Sequence, residues 1–321
     1  MSAMSVPQTV FMFSGQGSQY FQMGRELFEK NDTFRGWMLR LDERARQLSG
    51  ASVVETLYSD AHRKGDPFDR LVMTHPAIFM VEYSLAQALM HAGLRPDMVL
   101  GVSMGSFAAA AVAGFLDVED ALAAVMRQAA ALEECSEPGG MTAILADPAL
   151  FENDFLGGRS ELAAVNFSSH FVVSAKRTEL AQVEAALKQR DVGFQRLPVS
   201  YAFHSQWIDA AKAPFTSFMR SIEFRHGQLP LVCCDRTETV STLSADYFWD
   251  VVRNPIRFRE TTARLEQKGP RRFVDVGPAG TLATFLKYAM PAGMRSTVHS
   301  ILTPFGADQR NFGAVLAATL N

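Results

Sequence analysis

The stretch Met98-Val99-Leu100-Gly101-Val102-Ser103-Met104-Gly105-Ser106-Phe107-Ala108 decides the fold. Three apolar residues end on a Gly-x-Ser-x-Gly pentapeptide, and a run of small residues to Ala113 follows. That order reads as strand, sharp turn and helix, the setting of a nucleophile elbow. The glycines let strand and helix approach closely. The Ser103 hydroxyl is pushed out at the helix N-terminus, where backbone N–H groups and the helix dipole favour developing negative charge. Taken alone, the pentapeptide also fits plain strand-to-helix packing.

Outward from the elbow, strands alternate with helices. Thr9 to Phe13 reads as a strand that gives way to the Gly-rich loop Ser14-Gly15-Gln16-Gly17-Ser18-Gln19. Helical patterns run from Met23 to Leu48 and from His75 to Ala92, with Pro76 suited to a first turn. Ser136 to Gly140 reads as a hinge. Beyond it the texture changes to short strands (141–145, 162–166, 171–174 and 194–198) around one helix at 179–190. Later come a helix after His204, a strand at 229–233, a helix at 244–252, a strand at 272–276 and, opened by Gly277 to Gly280, a last core helix. Alternation of this kind argues for a mainly parallel sheet covered on both faces, with the site at the carboxyl ends of its strands. The expected organisation is a large α/β unit from residues 1–138 and 200–321, with residues 139–199 inserted as a small α+β unit.

Composition narrows the function. The 321 residues are 48% hydrophobic and 20% charged, ordinary for a globular enzyme. A net charge of -3 gives no basic footprint for nucleic acid. Apolar runs stop short of a membrane span, and Met1 to Pro7 lacks the pattern of a signal peptide. Cys135, Cys233 and Cys234 make neither a disulfide framework nor a metal cluster. They read as reduced, structural and cytoplasmic, the adjacent pair pointing to opposite faces of a strand.

A serine nucleophile needs a base. Of the seven histidines, His204 lies where a strand gives way to a helix beside small neighbours, a place that suits an exposed catalytic imidazole but, on the residues alone, more often holds a solvated cap.

The motifs Phe13-Ser14-Gly15-Gln16-Gly17-Ser18-Gln19, the Ser103 elbow, Phe203-His204-Ser205, Asn254-Pro255 and Asp275-Val276-Gly277-Pro278 occur in a fixed order. In that order and rough spacing the chain resembles the malonyl-CoA:acyl-carrier-protein transacylases and the acyltransferase domains of polyketide synthases, from about Thr9 to Leu286. The resemblance implies an α/β-hydrolase-like core with a ferredoxin-like insert. It implies Ser103 as nucleophile, His204 as base, and the N–H groups of Gln16 and Met104 as oxyanion hole. It implies ping-pong chemistry on thioesters of acyl carrier protein or coenzyme A, with phosphopantetheine carried by the substrate and no resident cofactor or metal. The family orients its histidine with a backbone carbonyl from the strand matching Leu231 to Asp235.

The departures shape the expected specificity. Val102 stands where the family usually has His, and Ser106 where it often has Glu. Malonyl-using members carry an Arg 25 residues after the nucleophile, where this chain has Gln128 beside Arg127. One residue on a helix turns a side chain by about 100°, so Arg127 substitutes only if the alignment shifts. With Gln128 and Phe203 in the pocket, a malonyl carboxylate lacks its counter-charge. The chain then resembles the free-standing acyl hydrolase branch, which clears acyl groups from the carrier proteins of polyketide synthases. Two other readings stay open: a malonyl or other acyl transferase from coenzyme A to carrier protein, and a silent carrier-protein platform.

Overall fold

A computed structural model describes residues 7–290 and 295–320. Of the N-terminal stretch read above, only Pro7 falls within them. The strands are β1 (Gln8–Phe13), β2 (Met98–Gly101), β3 (Gly139–Ile144), β4 (Glu161–Phe167), β5 (His170–Lys176), β6 (Phe194–Arg196), β7 (Leu231–Cys233), β8 (Glu238–Val240), β9 (Arg271–Asp275) and β10 (Thr297–Ser300). The first six helices are α1 (Arg25–Lys30), α2 (Asp32–Ser49), α3 (Val53–Leu57), α4 (Leu71–His91), α5 (Gly105–Val112) and α6 (Val118–Cys135). The remainder are α7 (Asp154–Gly157), α8 (Arg177–Gln189), α9 (Lys212–Met219), α10 (Ala245–Arg253), α11 (Phe258–Gln267), α12 (Thr281–Ala289) and α13 (Asp308–Leu320).

The main sheet has the order β10-β9-β1-β2-β7-β8, parallel throughout except for β8. Strict alternation sends Phe11, Phe13, Val99, Leu231 and Cys233 into one apolar cluster. Val10, Met12, Leu100, Val232 and Cys234 enter the other. The two adjacent cysteines thus face opposite layers. Phe11 and Phe13 are wholly buried, and each such ring contributes about 2–3 kcal/mol relative to exposure. Register sets Phe13 beside Gly101, Met12 beside Asp275, and Gly101 beside Cys233. The Gln16 loop, the Ser103 elbow and the Gly277 loop therefore emerge side by side.

Residues from Gly139 to Arg196 form a separate antiparallel sheet, ordered β4-β5-β3-β6. Helical segments follow β3 and β5, which gives the β-α-β-β-α-β order of a ferredoxin-like unit. This sheet is sewn to the main body. Val165 N–H donates to the Ile256 carbonyl at 2.9 Å, and Ile256 N–H donates to the Ala163 carbonyl at 2.8 Å.

Local details differ from the sequence reading. The helical pattern 23–48 is broken at Asn31, whose side chain accepts from Phe34 N–H and caps α2. α4 begins at Leu71, so Pro76 lies inside the helix, past its first turn. The expected hinge ends early, because Gly139 and Gly140 already pair with β5. A Cβ on Gly139 would sit 2.8 Å from the Ala175 carbonyl oxygen. α12 is not the last helix, since β10 and α13 follow.

Candidate active site

Both elbow glycines are required by contact. A Cβ on Gly101 would lie 2.5 Å from Ser106 Cα. One on Gly105 would lie 2.3 Å from the Phe13 carbonyl oxygen and 2.4 Å from that of Ser14. Ser103 itself sits at φ 54°, in the left-handed region. That conformation costs a non-glycine residue about 1–2 kcal/mol and is held only where the surroundings impose it. The tight Gly101 and Gly105 packing imposes it here.

His204 is also left-handed, at φ 59°, and is buried. Its N–H donates to the Val252 carbonyl at 3.0 Å. On either side, the Ser174 hydroxyl of β5 donates to the Phe203 carbonyl, and the Ser205 hydroxyl donates to that of Ala202. So fixed, the imidazole Nε2 lies 2.9 Å from Ser103 Oγ, and Nδ1 lies 2.7 Å from the Asn254 carbonyl oxygen. A carbonyl only accepts, so Nδ1 carries the proton and Nε2 is left bare toward the serine. Burial pushes the His204 pKa down to about 4; the Asn254 carbonyl opposes this and Arg253 adds to it. The ring is neutral at neutral pH.

The orienting carbonyl therefore comes from Asn254, not from the stretch matching Leu231 to Asp235. Pro255 constrains the residue that carries it. The residue before proline is held extended, and Asn254 has ψ 156°. Asp235 takes a supporting place, accepting from Asn254 Nδ2 at 3.2 Å.

The Gln16 loop meets the elbow edge-on, and a Cβ on Gly15 would sit 2.9 Å from Ser103 Cβ. Among the described residues, neither the Gln16 N–H nor the Met104 N–H donates to a backbone carbonyl in the loops and turns. Met104 stands at the N-terminus of α5. Gln16 anchors its side chain by donating from Nε2 to Thr74 Oγ1 at 3.0 Å.

Ser103, His204, Gln16, Val102 and Phe203 line a cavity of about 250 Å³. Met141 and Val172 of the small sheet close one side, and Leu282 and Phe285 of α12 another. Among the described residues its lining holds no Lys, Arg, Asp or Glu; His204 and His170 are the titratable groups there. His170 Nδ1 accepts from Asn166 Nδ2 at 3.1 Å, and burial lowers its pKa.

Gln128 departs from expectation. Its side chain is buried in α6 but does not line this cavity, and Nε2 points to the Phe248 carbonyl at 3.4 Å. The amide finds its acceptor on α10. Arg127 is exposed and does not line the cavity. Sequence reasoning missed Asn254 as the source of the carbonyl, although Asn254-Pro255 was visible. It also missed His170 and Phe285, which carry no local signal.

Residues 10–318 match the family described as acyl transferase domain. The chain belongs to this acyl transferase family. Among members, it is 47% identical to the polyketide biosynthesis acyltransferase homolog BaeD of Bacillus velezensis, over 94% of this chain and 93% of that one. It is 43% identical to the homolog PksD of Bacillus subtilis, over 95% of each. A loading acyltransferase from the avermectin modular polyketide synthase superposes with TM-score 0.88 at 28% identity, covering 98% of this chain and all of that one. The malonyl CoA-acyl carrier protein transacylase of Coxiella burnetii shares the acyl transferase fold, with TM-score 0.83 at 20% identity over 98% of this chain and 99% of that one.

Proposed function

We propose that this acyltransferase-fold protein removes neutral acyl groups from acyl carrier protein by hydrolysis, through an ester on Ser103. The observation that carries the reading is a Ser103–His204 pair opening on a cavity whose described lining includes no Lys or Arg. Ser103 Oγ attacks the thioester carbonyl as its proton passes to the bare Nε2 of His204. The carbonyl oxygen becomes an oxyanion facing the N–H groups of Gln16 and Met104. Two such donors are together worth several kcal/mol. The C–S bond then breaks, and the phosphopantetheine thiol leaves with the proton from His204. Water, deprotonated in turn by His204, attacks the ester and releases the free acid and Ser103.

A malonyl carboxylate in this cavity would be desolvated without a partner. With Gln128 turned to Phe248, it is the whole lining, not one helix position, that denies the carboxylate a counter-charge. The relatives named acyltransferase homologs favour a second reading, in which a carrier or coenzyme A thiol replaces water as the second nucleophile. Polyketide carrier proteins are the expected partners in both, and the cytoplasm the expected compartment. The test is incubation with acetyl- and malonyl-loaded carrier protein, with mass analysis of protein and products. Release of acetate with little loss of malonyl supports hydrolysis. Efficient malonyl transfer between coenzyme A and carrier protein, with negligible release of acetate, overturns it.

A further inference from the structure

The Gln16 loop has to leave the sheet at the end of β1, where ladder hydrogen bonds stop. The Val102 N–H takes the Phe13 carbonyl and the Val276 N–H takes that of Met12. The next N–H, on buried Ser14, finds no strand. It donates instead to Oε1 of Glu82, at 2.6 Å, from the middle of α4. The Ser14 hydroxyl lies 2.9 Å from the same oxygen and 3.1 Å from Ser18 Oγ. Ser18 donates to the Gly15 carbonyl at 2.8 Å. A chain of polar contacts thus runs from Glu82 along the underside of the loop.

Glu82 is an unusual occupant of that position. It is wholly buried in a helix of largely apolar neighbours, and its Oε2 has no hydrogen-bond partner among the described residues. An apolar side chain would spare this desolvation but would orphan the Ser14 N–H. Ser14 lies two residues before Gln16, and its carbonyl abuts Gly105 of the elbow. The same helix holds the Gln16 side chain through Thr74, two turns upstream of Glu82. α4 therefore braces the loop at two points against the elbow that presents Met104.

We propose that Glu82 is a positioning residue, whose carboxyl oxygen fixes the Ser14 backbone and so holds the Gln16 N–H in register with the Met104 N–H. The inference rests on the acyl-enzyme reading above. It acts through geometry, so an oxygen acceptor suffices and a charge is not needed.

The test measures single-turnover acylation of Ser103 in the full chain with the acetyl thioester of N-acetylcysteamine, followed by quenched intact mass and expressed per folded molecule. Glu82→Gln, which keeps the acceptor, is expected to acylate within about threefold of wild type. Glu82→Leu is expected to lose about 10²-fold in the acylation rate constant, the loss typical of one oxyanion donor, with the concentration for half-maximal rate little changed. Glu82→Asp, one methylene short, is a second variant expected to slow in the same way should the leucine variant fail to fold. A purely structural role would lower the folded fraction and spare the rate constant. Wild-type rate constants in the Leu or Asp variants would overturn the inference, as would a Gln variant as slow as Leu. If the wild type forms no Ser103 adduct, the acyl-enzyme reading fails first and the inference with it.

Discussion

Ser103 and His204 face each other across 2.9 Å with both backbones in the left-handed region, at φ 54° and 59°. Two non-glycine residues in this conformation, in contact, mark where the fold accepts local strain to aim side chains. The catalytic assignments can be checked directly. Ser103→Ala should abolish the acyl adduct seen by intact mass with an acetyl thioester, and turnover should fall by about 10³-fold or more. An adduct that survives in the variant would place the ester elsewhere.

The pH profile follows from the buried imidazole. Only neutral His204 accepts the serine proton, and its pKa is depressed to about 4. Turnover limited by this group should stay level from neutral pH to about 5 and fall as pH drops through 4. A limb near the ordinary histidine value, measured on kcat/KM, would mean that water reaches the ring. The same depression bears on stability. Between about 6.5 and 4 the unfolded chain binds the extra proton, so stability rises with pH in that window. His75, lowered by burial to about 3, acts in the same direction. Asp275 and Asp308, raised by burial to about 6, and Glu82, also raised by burial, act in the opposite direction. The histidine contribution is therefore read as the wild-type urea midpoint minus that of His204→Gln, a difference that should decline as pH falls below 6.5.

Replacing Asn254 distinguishes backbone from side chain. Asn254→Ala keeps the carbonyl that accepts from His204 and loses only the 3.2 Å bond to Asp235. Stability should fall by about 1 kcal/mol, the net worth of one hydrogen bond, and turnover by only a few-fold. A loss as large as that of His204→Ala would assign chemistry to the side-chain amide.

Two glycines should respond in opposite directions to alanine. At Gly105 the new methyl would collide with backbone oxygens at 2.3 and 2.4 Å, which cannot yield as a flexible side chain would. A loss of about 3 kcal/mol or more is expected. Gly36, exposed on α2 with nothing within 4 Å of its Cβ site, should gain about 0.5–1 kcal/mol. Chemical denaturation of both variants reads the contrast.

Much of this arrangement was legible because it follows from short-range rules. Continuous apolar runs in β1 and β2, and the glycines at 101 and 105, point to a strand edge crowned by a serine. The parallel order of β9, β1 and β2 then gathers three loops. Other features were not legible because they depend on distant packing. Asn254 contributes a main-chain oxygen, which no residue type announces except through the neighbouring proline. Gln128 keeps its amide for Phe248, a partner 120 positions away. Pro76 looked like a helix start, yet Thr74 and His75 before it are wholly buried in α4. β8, α11 and β10 were overlooked because they are short or weakly patterned.

The residues from Arg253 to Ile256 tie the two sheets together within four positions. Arg253 pairs with Asp209 and with Glu161 of β4, the Asn254 oxygen holds the imidazole, and Ile256 exchanges hydrogen bonds with β4. The small sheet is consequently no free lid. Any swing that widened the cleft along β4 would pull on the strap that orients the base. Keeping the cleft narrow along β4 and keeping the imidazole aimed at Ser103 are thus one mechanical condition.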